Sequence, residues 1–226
     1  MANITLILGP TGTGKSTSIE TLNPKETVIF SVAKNKLPFA GSSKLYNREN
    51  ENFFKVETAE KIIAGLLKYN TVPHIKNIII DDITYVMRKE YFASANKKGY
   101  DKFVDIAAHF QSILSTAENL RDDINVVLMM HCEEVFSDGA IVGYKPSTIG
   151  KLIDSTYNPM EVVNVLLMAI PKVEDNGNIE YGFYTNRKVY NGVLIPAKSP
   201  KGMFSEEFVA NDLQAIINTM NDYYGI

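Results

Sequence analysis

Residues 9–17 read Gly9-Pro10-Thr11-Gly12-Thr13-Gly14-Lys15-Ser16-Thr17, a complete G-x-x-x-x-G-K-[ST] segment, and they directly follow the apolar run Ile4-Thr5-Leu6-Ile7-Leu8. Such a segment constrains the fold because it works only where a buried strand turns into a helix. Its glycines let successive backbone N–H groups converge on phosphate oxygens, and a helix N-terminus behind them adds positive potential. Lys15 is placed to reach the β- and γ-phosphates as a point charge, and Ser16 to ligate Mg²⁺ through its hydroxyl. A glycine-rich turn that binds nothing has no need of these fixed positions. The chain is therefore read as one that binds a nucleoside triphosphate.

The rest of the pattern supplies the frame this loop requires. Residues 15–22 are expected to open a helix that Asn23-Pro24 stops. Residues 27–32 are β-branched and apolar, a second strand. Residues 33–52 are rich in Lys, Asn, Ser and Gly and predict a long exposed loop, a length that itself hints at function. Residues 59–69 place Ile62, Ile63, Leu66 and Leu67 on one helical face. Residues 75–80 read as a buried strand ending in Asp81-Asp82. Residues 101–120 form the clearest helix, with Phe103, Ile106, Ala107, Phe110, Ile113, Leu114 and Ala117 on one side. His109 follows the opposite side and is expected on the surface. Residues 125–130 predict a further strand, ending in His131. Two apolar segments, 162–170 and 179–185, flank the turn Asp175-Asn176-Gly177-Asn178 and predict a hairpin. A last helix starts near Asn211-Asp212, with Leu213, Ile216, Ile217 and Met220 facing inward.

Strands alternating with helices, followed by a β-rich section, predict an α/β fold: a mainly parallel central sheet, helices on both faces and a C-terminal β-hairpin region. A chain of 226 residues fits one domain over 1–226. Ligands of such sheets sit at the carboxyl ends of the strands. The phosphate loop, Asp81-Asp82 and His131 all fall at predicted strand ends, so three separate segments converge on one edge.

Composition narrows the function classes. The single cysteine, Cys132, excludes an internal disulfide and a thiolate-rich zinc site, and points to a reducing cytosol. No apolar stretch approaches bilayer length, and the N-terminus has no secretory pattern. A net charge of −3 gives no overall basic field for nucleic acid, leaving room only for a local basic strip.

Hydrolysis needs more than a phosphate loop: a carboxylate to orient the metal and a group to position the attacking water. Asp81, after Ile78, Ile79 and Ile80, has the setting of a Walker B aspartate that holds Mg²⁺. Asp82 is the candidate for orienting or activating water, and either acid could instead cap the next helix. His131 is the candidate sensor of the γ-phosphate; a histidine satisfied at a strand end is the competing reading. His74, beside Pro73, reads as surface. The segment 139–151 carries glycines, two lysines and Tyr144. It could follow a phosphate backbone with one aromatic for stacking, or simply form a hairpin. The turn Asn96-Lys97-Lys98-Gly99-Tyr100 is similarly basic.

The phosphate loop, residues 78–84, Gly99-Tyr100-Asp101-Lys102-Phe103, Met130-His131-Cys132-Glu133, residues 145–153 and Ala197-Lys198-Ser199-Pro200 together resemble the small AAA-type ATP-binding proteins of phages. These share a RecA-like core with the Sak-type single-strand annealing ATPases. The resemblance implies a RecA-like P-loop NTPase, with ATP and Mg²⁺ as cofactors and the host cytoplasm as location if the chain is phage-encoded. It also implies homo-oligomeric rings or filaments with ATP between subunits, and single-stranded DNA as a candidate partner. In similar proteins a basic residue near the end of the core reaches the neighbour's γ-phosphate; Lys198 occupies the matching position, with Arg187 as second choice. One departure stands out: RecA has a glutamate just after the second strand, whereas this chain has Ser31-Val32-Ala33-Lys34-Asn35 there. The water-positioning role then passes to Asp82.

The leading expectation is thus a Mg²⁺-dependent ATPase serving DNA recombination or replication, with Lys15, Asp82, His131 and Lys198 as catalytic residues and Ser16 and Asp81 at the metal. A small-molecule kinase ranks lower, because such kinases clamp two phosphate groups with several arginines. Here Arg48, Arg88, Arg121 and Arg187 are scattered. A nucleotide-controlled binding module with little turnover is the third reading.

Overall fold

Period-two alternation of large aliphatic residues gives the central sheet two apolar faces. In β1 (Asn3–Gly9), Ile4, Leu6 and Leu8 enter one core cluster and Ile7 the opposite one. The same division runs through β2 (Thr27–Ser31) and β4 (Asn77–Asp81): Val28, Phe30, Ile78 and Ile80 face one way, Ile29 and Ile79 the other. Strands buried on both faces need cover on both, and the sequence supplies it with amphipathic helices. The computed structural model describes residues 1–96, 99–150, 152–153, 157–174 and 176–226.

With β3 (Phe53–Lys55), β5 (Asn125–Ser137) and β7 (Val165–Met168), the parallel part of the sheet runs β3-β2-β4-β5-β1-β7. The strand carrying the two acids is therefore separated from the strand carrying the phosphate loop by β5. Three other strands follow: β6 (Ala140–Pro146), and the short pair β8 (Lys172–Val173) and β9 (Ile179–Glu180), a separate antiparallel hairpin around the expected turn whose first strand lies just beyond the expected segment 162–170. Asp175, in its turn, lies outside the described residues, as do Lys97, Lys98 and Lys151 of the two basic segments. Next, β10 (Gly182–Tyr184) joins β7 antiparallel. A hairpin of β11 (Lys188–Tyr190) and β12 (Val193–Ile195) docks on β6, and β13 (Phe208–Ala210) closes the far edge beside β10.

One face is covered by α2 (Ala59–Asn70), α3 (Thr84–Ala93) and α4 (Asp101–Glu118), which contribute Ile62, Leu66, Met87, Phe110 and Ile113 among others. Two short helices, α1 (Ser42–Leu45) and α5 (Pro159–Val162), precede and follow these. The opposite face is covered by α6 (Leu213–Tyr224), whose Leu213, Ile216, Ile217 and Met220 are all buried. The Asp212 carboxylate caps it by accepting from the Ala215 N–H at 2.9 Å, satisfying one of the unpaired donors of the first turn. The arrangement is an α/β RecA-like P-loop NTPase fold.

Four local expectations change. The helix expected over residues 15–22 is a single 3-10 turn, Thr17–Thr21. One α-type bond, from the Ser18 N–H to the Gly14 carbonyl, tightens at once to Leu22 N–H on Ile19, because Asn23-Pro24 forces the chain away. Few peptide dipoles align in one turn, so the loop's own amides carry the anion-attracting potential. The segment 33–52 is not wholly exposed: Leu37 and Tyr46 are buried, and the Tyr46 hydroxyl donates to the Leu22 carbonyl at 3.1 Å. Leu67 is 54% exposed, since the buried stripe of α2 follows Ile62, Leu66 and Tyr69 at helical spacing. Finally, β5 continues past His131 to Ser137, exchanging β1 and β4 for β6 as partners.

Candidate nucleotide-binding site

Register brings the site together. Gly9 pairs with His131 across β1 and β5, and Ser31 with Asp81 across β2 and β4. The carboxyl ends of these strands therefore open onto one cleft. Its volume is about 540 Å³, within the range that holds a nucleotide-sized ligand.

Along the phosphate loop, Gly12 (φ 81°) and Gly14 (φ 89°) are left-handed, a conformation that side-chain-bearing residues rarely adopt. Alternating the backbone in this way makes a concave nest of N–H groups. Among the described residues, no backbone N–H from Thr11 to Ser16 donates to a protein carbonyl, so this run of donors remains unspent. Thr13 Oγ1 donates to the Pro10 carbonyl at 2.9 Å, and the Asn211 amide donates to the Gly14 carbonyl at 3.2 Å. These bonds pin the loop from within and from the start of α6. Lys15 lies beneath it, 5% exposed, its ammonium donating at 2.6 Å to both the Gly9 and the Pro10 carbonyls. Burial pushes the Lys15 ammonium down to about 8, although Asp82 and Asp81 oppose the shift. A polyanion brought against Lys15 would relieve that penalty, which makes the site electrostatically primed for phosphate.

The two acids stand beside the loop. Ser16 Oγ donates to Asp81 Oδ1 at 2.7 Å. The other Asp81 oxygen, Oδ2, is buried and has no hydrogen-bond partner. Burial raises the Asp81 carboxyl above the ordinary carboxylate range, with the neighbouring Asp82 charge adding to it. Such an orphaned oxygen calls for a compensating cation or donor. The donor set of one hydroxyl and one carboxylate, all oxygen, suits Mg²⁺, which takes its remaining ligands from phosphates and water. Consistent with that division, no cluster of three or more His, Cys, Asp or Glu occurs among the described residues.

Asp82 has a left-handed backbone, φ 61°, which Asp tolerates better than most L-residues. The turn sends the next peptide into β5: the Ile83 N–H donates to the Met129 carbonyl and Thr84 Oγ1 accepts from the His131 N–H, each at 3.0 Å. Its carboxylate lines the cleft, with His131 Nε2 at 3.1 Å from Oδ1 and Lys34 Nζ at 3.1 Å from Oδ2. Burial alone would raise the Asp82 carboxyl, but His131 and Lys34 outweigh it and hold it below its ordinary value. The group therefore stays ionised, a hydrogen-bond acceptor across the physiological range.

Thus the sequence-selected residues Thr11, Gly12, Thr13, Gly14, Lys15, Ser16, Thr17, Asp82 and His131 line one cleft, with Gly9, Pro10 and Asp81 directly behind its wall. Lys198 does not join them. Its strand-like backbone bridges to Leu166, and its ammonium donates to the Glu161 carbonyl at 3.0 Å. Arg187 is exposed. His109, expected to be simply solvated, contacts Glu90. Lys34, Tyr85, Tyr181 and Asn211 also line the cleft and were not selected from sequence. The lysine-for-glutamate departure after the second strand marks the position of Lys34; no motif marks the others.

A phosphate nest, a buried lysine beneath it and a hydroxyl–carboxylate pair beside it define a P-loop nucleotide-binding protein of the ATPase type. A sequence-family model described as an AAA domain matches residues 1–191, and the chain belongs to that family. Comparison with curated proteins finds no match. No helix among the described residues is long and apolar enough to cross a membrane.

Loss of the buried ammonium leaves the nest without its central charge. Lys15→Ala is expected to show no heat of ATP binding by titration calorimetry at concentrations that saturate the natural protein. Affinity retained within about tenfold would exceed what losing a charge-assisted phosphate contact allows and would remove Lys15 from the site.

Proposed function

We propose that the protein is a Mg²⁺-dependent ATPase, and the observation that carries this reading is the meeting of unspent loop amides with Lys15 and the Asp81–Asp82 pair in one cleft. Ser16 and Asp81 would hold Mg²⁺, which when bound supplies charge neutralisation between the β- and γ-phosphates. The protein's own groups do the rest. The Lys15 ammonium exchanges the Gly9 and Pro10 carbonyls for phosphate oxygens. The ionised Asp82 accepts a hydrogen bond from water and aligns it with the γ-phosphorus. As the water oxygen bonds to phosphorus, the bond to the β–γ bridging oxygen breaks, ADP leaves and the water's proton passes to an oxygen of the released phosphate. A carboxylate held below its ordinary value is a weak base, so Asp82 acts mainly by positioning. His131, with Nε2 3.1 Å from Asp82, stands beside it in the cleft.

A kinase reading gains nothing from the geometry, for among the described residues no arginine lines the cleft. The further parts of the proposal rest on the resemblance to phage AAA-type and Sak-type proteins. These are phage origin, location in the host cytoplasm, homo-oligomeric assembly, and work on single-stranded DNA in recombination or replication. Lys198, with its ammonium outside the cleft of its own chain, would then serve a neighbouring subunit's γ-phosphate.

ADP release measured with and without single-stranded DNA over a salt series tests the reading. The protein should turn over ATP, with stimulation by DNA that fades as salt rises. Asp82→Asn should lower turnover by about 10²-fold while still binding ATP. An unchanged rate in Asp82→Asn would favour a binding module without directed hydrolysis. For Lys198, mixing Lys198→Ala with Lys15→Ala subunits should restore turnover that neither has alone, since a cation supplied in trans is worth about 10³–10⁵. A stable mixed oligomer without rescue would end that role.

A further inference from the structure

Lys34 has a place in the cleft that the phosphate loop does not explain. It follows β2, and its backbone is held on both sides: the Val32 N–H donates to the Asp81 carbonyl at 3.1 Å, and Ser31 Oγ donates to the Lys34 carbonyl at 3.0 Å. From there its ammonium donates to Ser16 Oγ at 3.1 Å and pairs with Asp82 Oδ2 at 3.1 Å.

In this arrangement the Ser16 hydroxyl is shared between an acid and a cation. Its one proton goes to Asp81 Oδ1. Its oxygen then accepts from Lys34. An ammonium has donors and no acceptors, so it can sit against the Ser16 oxygen and Asp82 as a cation would, but like charges keep it from standing there together with Mg²⁺. Two cations confined to the same few ångströms repel.

We propose that Lys34 is the resident cation of the metal position: its ammonium and Mg²⁺ alternate on the Ser16 oxygen and the acid pair. Resting on the P-loop ATPase reading, this deepens it by assigning how the metal is admitted. Without a triphosphate, Lys34 neutralises the acids and a lone divalent ion gains little by displacing it. A metal–triphosphate complex brings both a stronger cation and new anionic oxygens. The displaced ammonium, on a side chain 44% exposed, then has phosphate to turn to. Lys34 is thus a positioning residue that makes metal entry depend on nucleotide.

The test measures binding of Mn²⁺, a spectroscopic stand-in for Mg²⁺, to nucleotide-free protein by the resonance signal of the free ion. Lys34→Met should bind Mn²⁺ at least about tenfold more tightly than the natural protein, the scale on which a neighbouring charge biases an ionic equilibrium. Lys34→Arg, which keeps the cation, should stay near the natural value. Equal Mn²⁺ affinity in Lys34→Met and the natural protein overturns the proposal. Should Lys34→Met fail to fold, the pair Asp82→Asn with Lys34→Met against Asp82→Asn alone gives the same comparison with the charge balance preserved. ATP binding by the natural protein is measured in parallel. If ATP binds while Mn²⁺ affinity ignores Lys34, only the role of Lys34 falls. If ATP does not bind, the ATPase reading falls and takes this proposal with it.

Discussion

The short bond from Ser16 Oγ to Asp81 Oδ1, 2.7 Å, is the joint on which the rest of the site depends. It ties the phosphate loop at the end of β1 to the acid strand β4, although β5 lies between them. Neighbouring strands stand about 4.8 Å apart, so two strand spacings leave a gap that a Ser side chain and an Asp side chain together can close. Were β1 and β4 adjacent, the acids would crowd the loop. Inserting β5 opens the cleft and places His131 in its floor.

From that joint the electrostatics follow. Two carboxylates side by side at a buried strand end are unfavourable unless positive charge surrounds them. The protein meets the need with two ammonium groups from two segments, Lys15 from the loop and Lys34 from beyond β2, with the His131 ring of β5 beside Asp82. The outcome differs between the two acids. Asp82, contacted by Lys34 and His131, is held ionised, whereas Asp81, more deeply enclosed, is raised. That asymmetry separates a water-positioning carboxylate from a cation-seeking one, and it arises from environment because the two side chains are chemically identical.

Much of this was legible in the residues. Period-two runs such as 4–8 and 77–81 and the helical stripe of Ile106, Phe110, Ile113 and Ala117 correspond to real elements because burial on a regular lattice leaves a regular signature. The phosphate loop was legible for a different reason, since its glycines answer to a backbone demand that few other sequences meet. The residues that escaped notice have neither signature. Asn211 reaches the loop from near the far end of the chain, and Lys34 sits in a polar segment where a lysine is ordinarily a solvated charge. The short turn at Thr17–Thr21 was missed because the loop motif argues for a full helix, while Pro24 ends it after one turn. Lys198 cannot be placed by pattern alone: its ammonium lies on the Glu161 carbonyl, outside its own chain's cleft.

The central claim is that main-chain amides of residues 11–17 grip a triphosphate beside the joint between Ser16 and Asp81. A crystal structure of the protein with a non-hydrolysable ATP analogue and Mg²⁺ tests it most directly. The account predicts β- and γ-phosphate oxygens on those amides and on the Lys15 ammonium, with the metal touching the Ser16 hydroxyl and backed by Asp81. A triphosphate seated away from the loop, or a metal held without Ser16, would contradict it.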